Sequence, residues 1–179
     1  MHLNYILKSA NLPHGVLLTQ ILLPKGYYAR LSLDDLPDYF HNLQEEDVSA
    51  VRNHLGRVYS VQELERAGIP LSSEERKAGR LQFVLCALPM GSSHAVDYSQ
   101  DFHGGLLIES GVCSYKDLLQ YGKPICLWNQ ELRVAHGLYI DDGAVIGIVP
   151  DYIAINNLPA DDTCRFENAV RAYKSNDFP

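Results

Sequence analysis

The pattern of apolar and polar positions along the chain predicts four β-strands. Residues 27–33 and 80–88 are rich in β-forming side chains, and we interpret the second run as a buried strand. Two further β-rich runs, 134–140 and 144–149, are separated by the sequence Asp-Asp-Gly at 141–143. Because Asp-Gly between apolar strands is typical of a tight turn, these two runs are predicted to form a β-hairpin.

Helical spacing of apolar residues predicts three longer helices. The first covers 48–55, with Gly56 as its C-cap, and the second begins at Ser92 or Ser93 and runs towards Gly111. The third is the last amphipathic segment of the chain. The apolar positions that define these helices are Val48, Val51 and Leu55, then Ala95, Tyr98, Phe102 and Leu106, and finally Phe166, Val170 and Tyr173.

Two short segments carry the signature of a helix N-terminus. Ser60 with Glu63, and Ser72 with Glu75, form capping-box patterns, which predict short peripheral helices. The order of strand, helices, strand, helix, hairpin and helix predicts an α+β fold with a mainly antiparallel sheet and helices packed on one face. The chain contains no linker or solenoid repeat, so a single domain is predicted for 1–179.

Composition and charge narrow the possible functions. The 179 residues are 46% hydrophobic and 21% charged, which is typical of a folded globular domain. The net charge of −7 has the wrong sign for a domain that binds nucleic acid through bulk charge. The apolar run 83–90 is far shorter than the roughly 20 residues of a membrane span, and no signal peptide is evident. We therefore predict an intracellular protein without a membrane partner, and its compartment, nucleus or cytoplasm, stays open.

The candidate chemistry lies at the predicted hairpin. Asp141 and Asp142 are adjacent carboxylates at a tight turn, where they repel one another unless a cation lies between them. The simpler interpretation is that Asp-Gly is only a favourable turn sequence.

The sequence Tyr-Ile-Asp-Asp at 139–142 resembles the Y-x-D-D catalytic hairpin of reverse transcriptases. The upstream segment 33–40 (LDDLPDYF) resembles the first palm motif of that family, in which an aromatic follows the metal ligand by five residues. That spacing selects Asp35 as the ligand and Phe40 as the aromatic. In the family this aromatic lies under the sugar and excludes a 2′-hydroxyl, so the resemblance implies a preference for deoxynucleotides.

A third segment lies between these two in the right order. Residues 88–91 (LPMG) resemble the family's L-P-Q-G turn, which contacts the incoming nucleotide and template. Met90 stands where Gln is usual, and it cannot supply the hydrogen bonds of an amide. A plain break between a strand and a helix is the simpler interpretation of this segment.

Together these likenesses imply a partial reverse transcriptase domain with a ferredoxin-like polymerase palm, incomplete fingers and no thumb. The implied activity is RNA-directed DNA synthesis, with catalytic and metal-binding roles for Asp35, Asp141 and Asp142 and with Mg²⁺, or alternatively Mn²⁺, as the cofactor. The implied partners are a template-primer and a deoxynucleoside triphosphate (dNTP), which would also need flanking fingers and thumb. The implied nucleotide contacts are Leu36, Phe40, Met90 and Gly91.

Another function class fits the same pattern. A palm-like remnant, or a ferredoxin-like interaction domain without polymerase activity, would keep the hairpin for folding alone. The expected absence of fingers and thumb is consistent with the acidic charge, because those parts normally supply much of the Lys and Arg that hold template and primer.

Overall fold

The computed structural model describes residues 12–44, 52–92, 94–123, 125 and 134–178. The chain forms two compact units, a larger one built from 1–39 and 93–179 and a smaller one built from 40–92. Within the described ranges, no helix combines the length and the apolar character needed to span a bilayer.

Short strands and helices follow one another along the chain. In chain order the elements are β1 (Tyr27–Asp35), α1 (Tyr39–Asn42), β2 (His54–Ser60), α2 (Val61–Arg66), α3 (Ser73–Ala78), β3 (Arg80–Val84), α4 (Ala95–Glu109), β4 (Val134–Tyr139), β5 (Asp142–Pro150), α5 (Asp151–Ile155) and α6 (Asp161–Ser175). Two 3₁₀ helices, Gly15–Gln20 and Tyr115–Asp117, complete the described elements.

The larger unit is built on a three-stranded sheet. Its order is β1-β5-β4, and both neighbouring pairs are antiparallel. β1 and β4 therefore run parallel on either side of β5. The smaller unit and then α4 lie between them in sequence, so the larger unit has a split β-α-β arrangement with the smaller unit inserted before α4. The α+β class and the antiparallel sheet predicted from the sequence are confirmed.

The two faces of this sheet carry different neighbours. We call the face with Arg30, Ser32 and Asp34 the helix face, because α4 and α6 pack there. The opposite face, which carries Leu31, Leu33 and Asp35, is called the open face, because Leu31 is 54% and Leu33 68% exposed. Farther along the open face lies a buried apolar cluster, formed by Leu17, Leu119, Ala135, Ile146 and Ile148.

Helix α4 buries a different stripe from the predicted one. Tyr98 and Phe102, expected in the core, are 55% and 38% exposed. The buried positions of α4 are Ala95, Ser99, His103, Gly104 and Leu107. This stripe includes a serine and a histidine, so apolar spacing alone pointed to the wrong face of the helix. The terminal helix agrees better with its prediction, since Tyr173 is buried on α6.

An ion pair joins β1 to α6 on the helix face. The Arg30 guanidinium donates to both carboxylate oxygens of Asp162, from Nε and from Nη2, each at 2.6 Å. The Asp162 side chain is only 1% exposed. Because a bidentate pair is directional as well as strong, it fixes the helix against the strand at this point.

A buried histidine makes the stability of the larger unit depend on pH. His136 on β4 is 1% exposed, and its Nε2 has no hydrogen-bond partner among the described residues. Burial, followed by the charge of Arg165, lowers the pKa of His136 to about 4, while the charges of Asp117 and Asp161 oppose that shift. The folded chain therefore binds a proton at His136 less readily than the unfolded chain, whose histidine pKa is about 6.5.

The contribution of His136 should accordingly be intact above pH 6.5 and should fall as the pH drops towards 4. Between pH 7 and pH 4.5 the loss in unfolding free energy should be about 2 to 3 kcal/mol. Urea unfolding of the wild type and of His136→Leu should be measured at both pH values. The difference between the two proteins gives the contribution of His136 to the pH dependence of the unfolding free energy, because all other titrating groups are shared. An equal loss in the two proteins would show that His136 does not carry the effect.

The smaller unit contains a two-stranded antiparallel sheet of β2 and β3 with α2 and α3. Both predicted capping boxes are present: Ser60 with Glu63 at the start of α2, and Ser72 with Glu75 at the start of α3.

Two predictions for the smaller unit differ from the structure. Leu55 and Gly56 lie in β2 rather than at the end of a helix, and the rest of that predicted helix lies largely outside the described residues. The run 80–88 is not a buried strand, because β3 ends at Val84 and its side chains are exposed or half-buried. β3 pairs with β2 alone, so its apolar residues are not enclosed between strands of a larger sheet.

Candidate functional site

The register of the sheet brings two of the predicted site residues side by side. Asp35, the last residue of β1, is paired with Asp142, the first residue of β5. Residues directly opposite on neighbouring strands point to the same face, with Cβ atoms about 4.5–5.5 Å apart. Asp35 and Asp142 are both exposed and lie at one edge of the open face.

The hairpin turn differs from the predicted one. Tyr139 pairs with Asp142, so the turn consists of Ile140 and Asp141, and Asp142 and Gly143 belong to β5. The two-residue loop has a positive φ of 60° at Ile140 alone, the pattern of a type II′ turn. Gly143 instead provides space on the helix face, where a Cβ would meet the Tyr173 hydroxyl at 3.3 Å.

Ile140 is an unusual residue for this position. A positive φ costs an L-residue about 1–3 kcal/mol, and a β-branched side chain makes it rarer still. The turn therefore requires support from outside the hairpin, and α4 supplies it. The side-chain amide of Gln100 donates to the Leu138 carbonyl at 2.8 Å and accepts from the Ile140 N–H at 2.9 Å.

A second α4 residue completes this support. His103 Nδ1 lies 2.8 Å from the Ile140 carbonyl oxygen, and His103 Nε2 lies 2.8 Å from the Tyr173 hydroxyl on α6. Both peptide groups that flank Ile140's strained backbone are thus hydrogen-bonded to side chains of one helix.

Asp142 is affected electrostatically by the other two predicted carboxylates. Partial loss of water contact raises the pKa of Asp142, and the charges of Asp141 and Asp35 raise it further. This mutual repulsion favours either proton uptake or a cation at the edge. Carboxylate oxygens are hard ligands that suit Mg²⁺ and Mn²⁺, so the donor set fits the implied metal.

Within the described ranges, no group of three or more His, Cys, Asp or Glu side chains is arranged so that it could hold a metal ion, and this includes the three hairpin carboxylates. A second acidic pair, Asp161 and Asp162, is engaged by arginines: Asp161 pairs with Arg165, and Asp162 pairs with Arg30. Between the Asp-Asp pair at the hairpin and the pair at 161–162, the hairpin pair is therefore the better candidate for binding a cation.

Leu36 joins the end of β1 to the hairpin turn. Its N–H donates to the Asp141 carbonyl at 3.2 Å, which places the backbone of Asp141 next to that of Asp35. The Leu36 side chain is 2% exposed and packs in the core. The nucleotide contact predicted for Leu36 stays a prediction.

The other predicted nucleotide contacts belong to the smaller unit. Phe40 is half-buried in α1, Met90 is 71% exposed, and Gly91 is exposed. The Gly91 N–H donates to the Pro89 carbonyl at 2.9 Å, so the predicted turn in the chain is present. Any contact of these three residues with a nucleotide stays a prediction.

A cleft of about 620 Å³ lies on the open face beside the carboxylates. Asp35, Asp142 and Tyr139 border it, and Leu31 and Leu33 contribute apolar surface. The acidic edge therefore faces a concave space on the larger unit and not a flat surface.

Sequence reasoning missed the residues that hold the turn. Gln100 and His103 lie three positions apart on α4, and Tyr173 lies 70 positions beyond His103. The only available signal was that two polar residues, Ser99 and His103, continue the four-residue spacing of Ala95 and Leu107. Nothing in that spacing indicated contact with Ile140.

Comparison with known proteins gives no further identification. No family model matches the chain, and neither curated proteins nor solved structures give a significant match.

Proposed function

We propose that the larger unit is the palm of an RNA-directed DNA polymerase and that Asp35, Asp141 and Asp142 form its nucleotidyl-transfer site. The observation that carries the proposal is the pairing of Asp35 with Asp142 at the open edge of the sheet. Two segments that are more than 100 positions apart, and that carry the two predicted carboxylate motifs, meet there. The split β-α-β arrangement supports a ferredoxin-like palm, and the cleft leaves room for a substrate.

In the proposed reaction the 3′-hydroxyl of a primer attacks the α-phosphate of a dNTP, and pyrophosphate leaves. Divalent cations, when bound, would lower the pKa of the attacking hydroxyl and neutralise the charge on the leaving group. Asp35 and Asp141 would hold them, with Asp142 assisting. Because Mg²⁺ usually takes only one or two carboxylates together with substrate phosphates, these side chains would complete the site only with the triphosphate present.

The test is template-directed incorporation of dNTPs by the chain joined to flanking fingers and thumb, compared with two variants. Asp141→Asn should lower the rate at least a thousandfold, as expected when a group that handles the charge of a transferring phosphoryl is lost. Asp34→Asn is the matched control, because Asp34 is the neighbouring acid on the helix face. Equal rates for Asp141→Asn and the wild type, or no incorporation by a wild type that binds template-primer, would favour the non-catalytic alternative.

A further prediction concerns the choice of sugar. If Phe40 lies beneath the sugar of the dNTP, Phe40→Ala should raise ribonucleotide incorporation relative to deoxynucleotide incorporation by about a hundredfold, because a steric clash of about 3 kcal/mol would be removed. Melting curves must accompany the rates, since truncating a half-buried Phe also destabilises the fold. Unchanged sugar preference in a folded Phe40→Ala protein would contradict the proposed role of Phe40.

A further inference from the structure

The turn that carries Asp141 is held by a chain of hydrogen bonds through the interior of the larger unit. The chain starts at the Tyr173 hydroxyl on α6, passes through the His103 imidazole on α4 and ends at the Ile140 carbonyl. Gln100, one turn earlier on α4, bonds to the N–H of Ile140 and to the carbonyl of Leu138.

The direction of these hydrogen bonds follows from the chemistry of the groups. A carbonyl oxygen can only accept, so His103 Nδ1 must carry a proton and donate to Ile140. His103 is fully buried, and burial lowers the pKa of its imidazole, although the bond to Ile140 and the charge of Asp141 oppose that shift. In the neutral ring Nε2 is then the acceptor, and the Tyr173 hydroxyl donates to it. Burial also raises the pKa of Tyr173, which keeps that donor protonated.

The ring of His103 is also fixed by its neighbours. The Tyr39 ring lies 5.8 Å from the His103 ring, and the Tyr173 ring lies 5.4 Å from it. The Tyr39 hydroxyl donates to the Ser99 carbonyl on α4 at 2.7 Å. The imidazole therefore has both a defined tautomer and a defined orientation.

We propose that Gln100, His103 and Tyr173 are positioning residues that hold Ile140 at its positive φ and thereby keep Asp142 opposite Asp35, with Asp141 next to it in the turn. The link to cation binding rests on the proposed function. The hydrogen-bond chain itself does not, and it can be tested without any cation.

The first test is NMR of the wild-type chain without metal. The ¹⁵N shifts of His103 should identify the neutral Nδ1–H tautomer, and the Ile140 amide should exchange slowly because Gln100 accepts its hydrogen bond. The Nε2–H tautomer at His103, or rapid exchange at Ile140, would overturn the proposal whatever the function of the chain.

The second test measures Mn²⁺ binding by paramagnetic broadening at Asp141 and Asp142. His103→Phe removes the donor to Ile140 and should weaken Mn²⁺ binding about tenfold, the lower end of the effect seen when a supporting residue of a metal site is lost. His103→Asn should retain binding to within about twofold, because its amide nitrogen can donate in place of Nδ1. Asp101→Ala, an exposed change on the same helix, is the control for α4 itself.

Melting curves for each variant separate binding from folding. Equal Mn²⁺ affinity in folded His103→Phe and the wild type would overturn the positioning role. If His103→Phe does not fold, a His103→Asn protein that folds but binds Mn²⁺ ten times more weakly would overturn it as well. A wild type that shows the predicted tautomer but no Mn²⁺ binding at Asp142 would contradict the proposed function and leave the hydrogen-bond chain established.

Discussion

Asp142→Asn should abolish nucleotide incorporation and at the same time make the metal-free protein more stable. Partial burial, followed by the charges of Asp141 and Asp35, raises the pKa of Asp142, so its ionised form is less stable in the folded chain than in the unfolded chain. Removing one of three like charges should raise the unfolding free energy by a few tenths of a kcal/mol, and at most about 1, because Asp142 is exposed and solvent screens the repulsion. The loss of a ligand charge should lower the incorporation rate at least a thousandfold.

A loss of activity combined with a gain in stability distinguishes a functional carboxylate from a structural one. Rates and urea unfolding of Asp142→Asn should be measured beside those of Asp34→Asn, which keeps an oxygen to accept from the Asp35 N–H. We expect Asp34→Asn to retain activity to within about tenfold. If Asp142→Asn is destabilised by more than about 1 kcal/mol, or remains active, the carboxylates at the edge are not a strained cation site.

Gly147→Ala should be among the most destabilising single-methyl additions in the larger unit. A Cβ at Gly147 would lie 2.6 Å from the Asp162 Cγ, with the Asp162 Cβ closer still. Asp162 cannot move aside without loosening its bidentate pair with Arg30, and breaking a buried pair typically costs 3–5 kcal/mol. We expect a loss of about 3 to 5 kcal/mol in unfolding free energy by urea titration.

Gly137→Ala provides the matched control, since it adds the same methyl group to the neighbouring strand. A Cβ at Gly137 would lie 3.6 Å from its nearest neighbours, Ala144 Cβ and Leu119 Cδ1, which is ordinary contact. Its effect should stay within about 1 kcal/mol. Similar losses for the two variants would contradict the role assigned to the close approach of β5 and α6.

The sequence predicted correctly those helices and strands whose capping residues or apolar spacing lie within the element itself. The capping boxes at Ser60 and Ser72, the hairpin strands and the terminal helix all follow from the spacing of neighbouring residues. The predicted site residues Asp35 and Asp142 also meet in the sheet, because each lies at a strand end that the sequence already marked.

The position of the hairpin turn and the buried face of α4 depend on contacts between residues far apart in sequence, which the sequence pattern did not predict. Asp-Gly at 142–143 favours a turn, yet the turn lies at Ile140 and Asp141, because Gln100 and His103 hydrogen-bond to the Ile140 backbone and Tyr173 requires a small residue at Gly143. The buried face of α4 likewise follows from the partners of His103 and Ser99, which a count of apolar residues does not contain.

The cation site at the hairpin is tested by Mn²⁺ titration of the metal-free chain, with paramagnetic broadening of assigned NMR signals as the readout. We expect Asp35, Asp141 and Asp142 to broaden first, and we expect an added dNTP to strengthen the effect, since substrate phosphates complete the coordination of such ions. Asp161 and Asp162, which are held by Arg165 and Arg30, should broaden later. Broadening that is strongest at Asp161 and Asp162, or that is spread evenly over surface carboxylates, would contradict a cation site at the hairpin edge.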